Sequence, residues 1–311
     1  MISRRNIRVK VMQTLYSLDS YSAGSGKSGE PLSILTRKIQ DSRHLFTYLI
    51  YFISEVAGFA ETDARKKASK HLPSQSDLSV NTKIAGNELL QKINGDASFQ
   101  SVVKDAKFSS LTDADLLKKI YSNLTGTEEY KEYIAEPDRN KKEEKRILEF
   151  IFNSLMLPNE LFISHIEEQF INWDDDAEMM QTLVMNYLQK PAPGVFADLL
   201  GNDKWMFAKN LLQTVLDKKE HTLELIKPKL KNWDADRIAA LDMIILQMGV
   251  CEFLYFETIP TKVTINEYID IAKAYSTVQS GQFINGILDN IHKEMMAENK
   301  IEKIDFKNST I

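Results

Sequence analysis

Apolar residues recur at three- and four-residue intervals along most of this chain, and strict two-residue alternation never persists. That periodicity predicts an all-α fold. The opening "MISRRNIRVKVMQTLYSL" predicts a helix to about residue 20 with Ser3 as its N-cap. "YSAGSGKSGEP" (21–31) reads as a Gly- and Ser-rich connection, and a second helical block covers about 32–70. Within that block "LFTYLIYFISEVAGFA" (45–60) is too short to span a bilayer and is interrupted by Glu55, so it reads as a buried core helix. Residues 71–145 are more polar and broken ("HLPSQSD", "KINGDAS", "AEPDRNKKEEK"), which predicts short helices and mobile turns, with 128–146 as a solvated surface. From about 146 the helices lengthen, with breaks at Pro158, "QKPAPG" (189–194), Pro228 and Pro260. "RIAALDMIILQMGVCEFLYF" (237–256) is apolar almost all round and belongs at the centre of a bundle.

One internal echo stands out. "FINWDDDAEMMQTLVMNYL" (170–188) and "LKNWDADRIAALDMIILQM" (230–248) align without gaps, so that Asn172, Trp173, Asp174 and Asp176 fall on Asn232, Trp233, Asp234 and Asp236. A duplicated helix pair produces this pattern, and so do two similar capping turns with Asp174 and Asp234 as N-caps.

Composition narrows the function. A chain of 311 residues has room for one large domain or two ordinary ones, and 43% hydrophobic residues supply a core. A net charge of −5 argues against indiscriminate binding of nucleic acid, so a polyanion would need a local basic patch. The single cysteine, Cys251, allows no disulfide within the chain, which suits a reducing cytoplasm, and its apolar neighbours mark it as a small core residue. The N-terminus lacks the apolar stretch of a signal peptide, and no membrane role is expected. The five histidines are scattered without metal-ligand spacing, and "GSGKSG" (24–29) lacks the strand and spacing of a phosphate loop. Neither a metal, nor a cofactor, nor enzymatic activity is expected.

Two places carry more than packing. In "SRRNIRVK" the cations Arg4, Arg5, Arg8 and Lys10 meet no acid before Asp19. On a helix, Ile7, Val11, Leu15 and Leu18 share the buried side, and Arg5, Arg8, Met12 and Tyr16 form an adjacent stripe. Such a stripe suits phosphates and a stacked base, or a solvated amphipathic terminus. The second place is "IPTKVTINEYIDIAKAYS" followed by "TVQSGQFINGILDNI". Ile265, Tyr268, Ile269, Ala272 and Tyr275 make one helical stripe; Phe283, Ile284, Ile287, Leu288 and Ile291 make another. Thr264 and Glu267 have capping-box spacing, with Thr261 as the alternative cap. Core packing does not account for Asn266, Asn285 or Gly286, and a mid-helix glycine costs ~1 kcal/mol relative to alanine.

Together these two places resemble the NusB transcription antitermination family. "RRNIRVKVMQTLYSL" is similar to its arginine-rich opening helix, and "IPTKVTINEYIDIAKAYS…FINGILD" to its Pro-x-Lys-Val-x-Ile-Asn-Glu and Phe-x-Asn-Gly-x-Leu-Asp helices. "WMFAKNLLQTVLDKKEHTLELIKPKL…DRIAALDMIILQMGVCEFLY" resembles the long third helix and central hairpin. The resemblance covers residues 1–20 and about 195–311, leaving 21–194 as a helical insertion absent from the usual, shorter member. It implies an all-α bundle of two helical subdomains without enzymatic activity. It also implies binding of single-stranded boxA-type RNA from ribosomal operon leaders together with NusE, the small-subunit ribosomal protein. The complex then joins NusA, NusG and RNA polymerase. Carried over by position, Arg4, Arg5, Arg8, Lys262, Phe283 and Asn285 become expected RNA-contacting residues; Tyr16 joins them as the aromatic ring of the opening stripe, and Gly286 becomes a place where another backbone approaches closely.

The departures are Asn6, where many members have another arginine, with Lys10 as a partial substitute, and "TVQSGQF", which lacks the acid and histidine many members place before the phenylalanine. An adaptor that keeps the fold but binds RNA poorly is the alternative function. An RNA cytosine methyltransferase with a similar N-terminal domain would need an α/β domain after the bundle, and only a short polar stretch follows "FINGILDNI".

Overall fold

The Ser3 hydroxyl accepts a hydrogen bond from the Asn6 main-chain N–H at 3.2 Å, which opens the first helix at the expected place. The computed structural model describes residues 2–23, 30–230 and 238–304. The first helices are α1 (Arg4–Ala23), α2 (Pro31–Ala68), α3 (Gln75–Leu78), α4 (Glu88–Asn94), α5 (Ala97–Asp105) and α6 (Phe108–Leu111). There follow α7 (Ala114–Gly126), α8 (Glu128–Ala135), α9 (Lys141–Phe150), a π-helical turn Ile151–Met156, α10 (Glu160–Gln169) and α11 (Trp173–Gln189). The last are α12 (Asn202–Asp217), α13 (Lys219–Ile226) running into a 3-10 turn, α14 (Ala240–Tyr255), α15 (Thr261–Tyr275) and α16 (Val278–Ala297). Among the described residues there is no strand, so the fold is all-α.

The chain divides into two compact units. A middle unit comprises Met1–Ile2 and Gln40–Leu199, and a terminal unit comprises Ser3–Ile39 and Leu200–Ile311. The middle unit is organised on α2. Leu45, Phe46, Tyr48, Leu49, Phe52, Ile53 and Val56 are sealed from solvent, as a core helix requires. The Tyr48 ring lies 5.1 Å from Phe108 and from Phe170, and its hydroxyl meets His165 Nε2 at 2.6 Å. The polar stretch 71–145 is firmer than its broken pattern predicts, because Asn87, Asp96, Asp113 and Asn140 each accept first-turn N–H groups as N-caps. Such caps contribute about 1 kcal/mol each. Nor is 128–146 simply a solvated surface. Glu144 is 2% exposed and accepts from Tyr133 Oη (2.6 Å), the Glu88 N–H (2.6 Å) and Arg139 (3.1 Å).

In the terminal unit, α14 is the central element, touching α1, α12, α13, α15 and α16. Its residues Ile244–Phe253 are buried on every side, as its apolar sequence requires. Gly249 permits that crowding: a Cβ there would sit 2.9 Å from Leu288 Cδ2 and 3.4 Å from Tyr268 Cδ2. After α16 the chain returns to the end of α14. Lys303 donates to the carbonyls of Glu252 (2.9 Å) and Phe256 (2.7 Å), and the Ile304 N–H donates to Glu257 O (3.1 Å).

The echo is corrected in one respect. The cap of α11 is Asn172; Asp174 lies inside its first turn, while buried Asp176 accepts from Asn172 Nδ2 and Ser42 Oγ, both at 2.7 Å. Trp233, Asp234 and Asp236 lie outside the described residues. No single helix among the described residues is long and apolar enough to cross a membrane.

Candidate nucleic-acid interface

Cations in a first helical turn face the positive end of the helix dipole, which disfavours Arg4 and Arg5 there. Arg5 has compensating partners on α15: it donates to both Glu267 carboxylate oxygens (3.0 and 3.2 Å) and to Asp270 (2.8 Å) while remaining half exposed. These bonds, first that to Glu267, hold its guanidinium above its ordinary pKa. Arg4 is exposed and lies 5.6 Å over the Phe207 ring, with no ion pair among the described residues. Tyr16 is 47% exposed about three turns further on.

Arg8 departs from the expectation. The predicted stripe required it to face solvent, yet its side chain is 3% exposed and forks onto Glu252 of α14 at 2.9 and 2.8 Å. Its guanidinium lies 5.5 Å from the Phe207 ring and 5.9 Å from that of Tyr268. Glu252, fully buried, also accepts from Thr264 Oγ1 (2.7 Å) and Tyr268 Oη (3.2 Å). Burial alone would lower the Arg8 pKa, but the Glu252 bonds outweigh it and the net shift is upward. Burial beside Glu252 drives the Tyr268 phenol well above its ordinary range. Met12 and Lys10 are each 2% exposed, so neither extends a surface stripe. The physical reason is that α1 packs against both α12 and α14, and so buries more than one side.

On α15, Lys262 and Asn266 are exposed. Thr264 and Glu267 do not form a capping box: the helix starts at Thr261 after Pro260, and the two side chains serve Glu252 and Arg5 instead. Helix α16 runs back along α15, with Gly281 against Lys273 and Leu288 beside Tyr268 across Gly249. The two helices therefore run antiparallel. Asn285 and Gly286 are exposed, whereas Phe283 is 6% exposed and packs inward, so it is not displayed for stacking. A Cβ on Gly286 would meet nothing within 4 Å, so tight packing inside this chain is not its reason; the close approach falls at Gly249 instead.

Among the described residues no group of three or more His, Cys, Asp or Glu side chains forms a metal site. Cys251 is buried and its thiol is pushed up to about 12, which leaves no thiolate near neutral pH. Sequence reasoning missed Glu252, Phe207, Glu267 and Asp270 as partners of the opening arginines. For Glu252 a signal existed, a carboxylate in the middle of the apolar stretch "MGVCEFLY", which has to find a cation.

The transcription antitermination protein NusB of Desulfatibacillum aliphaticivorans is 39% identical over 101 residues, 32% of this chain and 71% of that protein. The chain belongs to the NusB family. The family model, described as the NusB family, matches residues 166–293. It therefore includes α11, which the sequence assigned to the insertion, and stops short of α1. The transcription antitermination protein NusB of Salinibacter ruber is 40% identical over 97 residues, and that of Methylacidiphilum infernorum 47% over 83. These alignments take in 31% and 27% of this chain and span 61% and 58% of the two NusB proteins, less than two-thirds of either. No solved structure matches.

Proposed function

We propose that this protein is a non-catalytic transcription antitermination factor that binds single-stranded boxA-type RNA of ribosomal operon leaders together with NusE, within a complex containing NusA, NusG and RNA polymerase. The observation that carries the reading is Arg4, an exposed arginine at the unfavourable end of α1, with no acid paired to it among the described residues. An anion arriving there would relieve that cost. Arg5, Tyr16, Lys262 and Asn285 are the other exposed members of the contact set. Arg8 and Phe283 act through the fold, Arg8 by fixing α1 on α14 and Phe283 by seating α16.

A short boxA-type RNA is titrated against a scrambled one at several salt concentrations, with and without NusE. Three exposed cations predict a slope of log affinity on log salt of about −2, falling toward −0.7 in the Arg4→Ala/Arg5→Ala variant. Equal binding of the two RNAs in both conditions would overturn the reading.

A second reading, a protein adaptor with little RNA affinity of its own, is favoured by the carboxylates of Glu267 and Asp270 that already occupy Arg5. It predicts a NusE complex that forms equally well with or without RNA and is indifferent to the same double substitution.

A further inference from the structure

The middle unit carries a groove of about 570 Å³ whose chemistry is opposite to that of the opening arginines. Its walls bear Glu129, Glu132, Glu136, Glu143 and Glu149, against a single cation, Arg146. Arg146 is spent on Glu143 at 3.5 Å. The carboxylates of Glu129, Glu132, Glu136 and Glu149 have no ion pair among the described residues. The floor is apolar: Ile147, half-buried Phe150 and Met185.

Helix geometry makes this concavity. Helix α9 continues into the π-helical turn Ile151–Met156, and the chain then bends by 88° into α10. The wider turn presents Asn153 and Ser154 along the groove, with Asn153 Nδ2 held 3.0 Å from Met185 Sδ. Single π turns in helices occur frequently at functional sites.

We infer that this groove docks a lysine- and arginine-rich segment of a partner protein, with an apolar side chain of that segment on Phe150. The charges select the occupant. Phosphates are repelled, which excludes a nucleic acid strand. The carboxylates are spread along the walls and gather into no metal cluster, so they match several spaced cations rather than one ion. The apolar floor calls for an anchor that a bare polyamine lacks. The groove lies wholly within Gln40–Leu199, so this inference stands independently of the RNA reading.

The test uses the full chain and a fluorescent lysine- and arginine-rich peptide containing leucines, followed by anisotropy at low and high salt. The Glu132→Lys/Glu136→Lys variant is expected to weaken binding by at least about tenfold, and Phe150→Ala by about fivefold. Glu167→Lys/Glu168→Lys makes the same change in net charge on exposed positions of α10 outside the groove lining and is expected to leave affinity within about twofold. Circular dichroism and melting confirm that each variant is folded. The inference is overturned if the control pair weakens binding as much as the groove pair, or if native affinity survives in the groove variants. It is equally overturned if a leucine-free peptide or spermine binds as tightly as the peptide with its anchor.

Discussion

Glu252 in the terminal unit and Glu144 in the middle unit are 0% and 2% exposed, and each is held by one arginine and one tyrosine. Their surroundings differ. Arg8 on Glu252 is 3% exposed and lies among aromatic rings, whereas Arg139 on Glu144 is 32% exposed. Glu144 also holds a main-chain N–H, that of Glu88, while every donor recorded on the Glu252 carboxylate is a side chain. Water can therefore replace the arginine in the middle unit but not in the terminal one. A buried charge tolerates loss of its partner only where solvent or the main chain can take over.

That contrast can be broken experimentally. Arg8→Ala strands Glu252 and is expected to cost the terminal unit about 3–5 kcal/mol in denaturant unfolding. Replacing both partners with apolar residues, Arg8→Met with Glu252→Leu, removes the stranded charge but takes the acceptor from the buried Thr264 and Tyr268 hydroxyls, so it should recover only part of that loss. A single-variant cost below about 1 kcal/mol would show that the pair is not a structural hub. Arg139→Ala should cost less, about 1 kcal/mol, because its exposed guanidinium is screened and replaceable. If Arg139→Ala costs as much as Arg8→Ala, solvent access is not what separates the hubs.

Smaller still is a pH effect confined to the middle unit. Burial holds His165 below its ordinary value of 6.5, although Asp113 and Glu168 oppose this. The unfolded chain then binds a proton that the folded chain resists. The stabilising contribution is complete above about pH 6.5 and lost as pH falls below it toward the lower folded value. The stability of the protein relative to a His165→Gln variant should therefore decline between about pH 7.5 and 5.5, read by thermal melting. A constant difference would place the imidazole in water. The smallest expected effect is Gly286→Ala, which meets open space and should stabilise α16 by up to about 1 kcal/mol.

What was legible follows from how far apart in sequence the deciding groups lie. The sealed stretch of α2 and the all-round burial of α14 were readable because apolar periodicity is local. The Ser3 cap was readable for the same reason. Arg8 was misread as surface because its partner lies 244 residues away, and spacing along one helix cannot reveal an acid on another. The middle unit looked loose because polar residues there read as solvent-facing, when Asn87, Asp96 and Asn140 are caps and Glu144 is an interior acceptor. Of the expected contact residues, the exposure of Arg4, Arg5, Tyr16, Lys262 and Asn285 agreed with their pattern. Phe283 shared the apolar face of α16, as the helical stripe required.

The distance between Arg8 and Glu252 also governs how the protein is made. Helix α1 is made well before its acid, which follows 244 residues later, roughly 10–50 s at ordinary elongation rates. Throughout that interval Ile7, Val11 and Leu15 have no finished core to enter, while the contiguous Gln40–Leu199 unit is translated in full. A nascent chain stalled before Glu252 therefore keeps the apolar side of α1 uncovered, and a chaperone is expected to hold such a chain longer than one extended past α16.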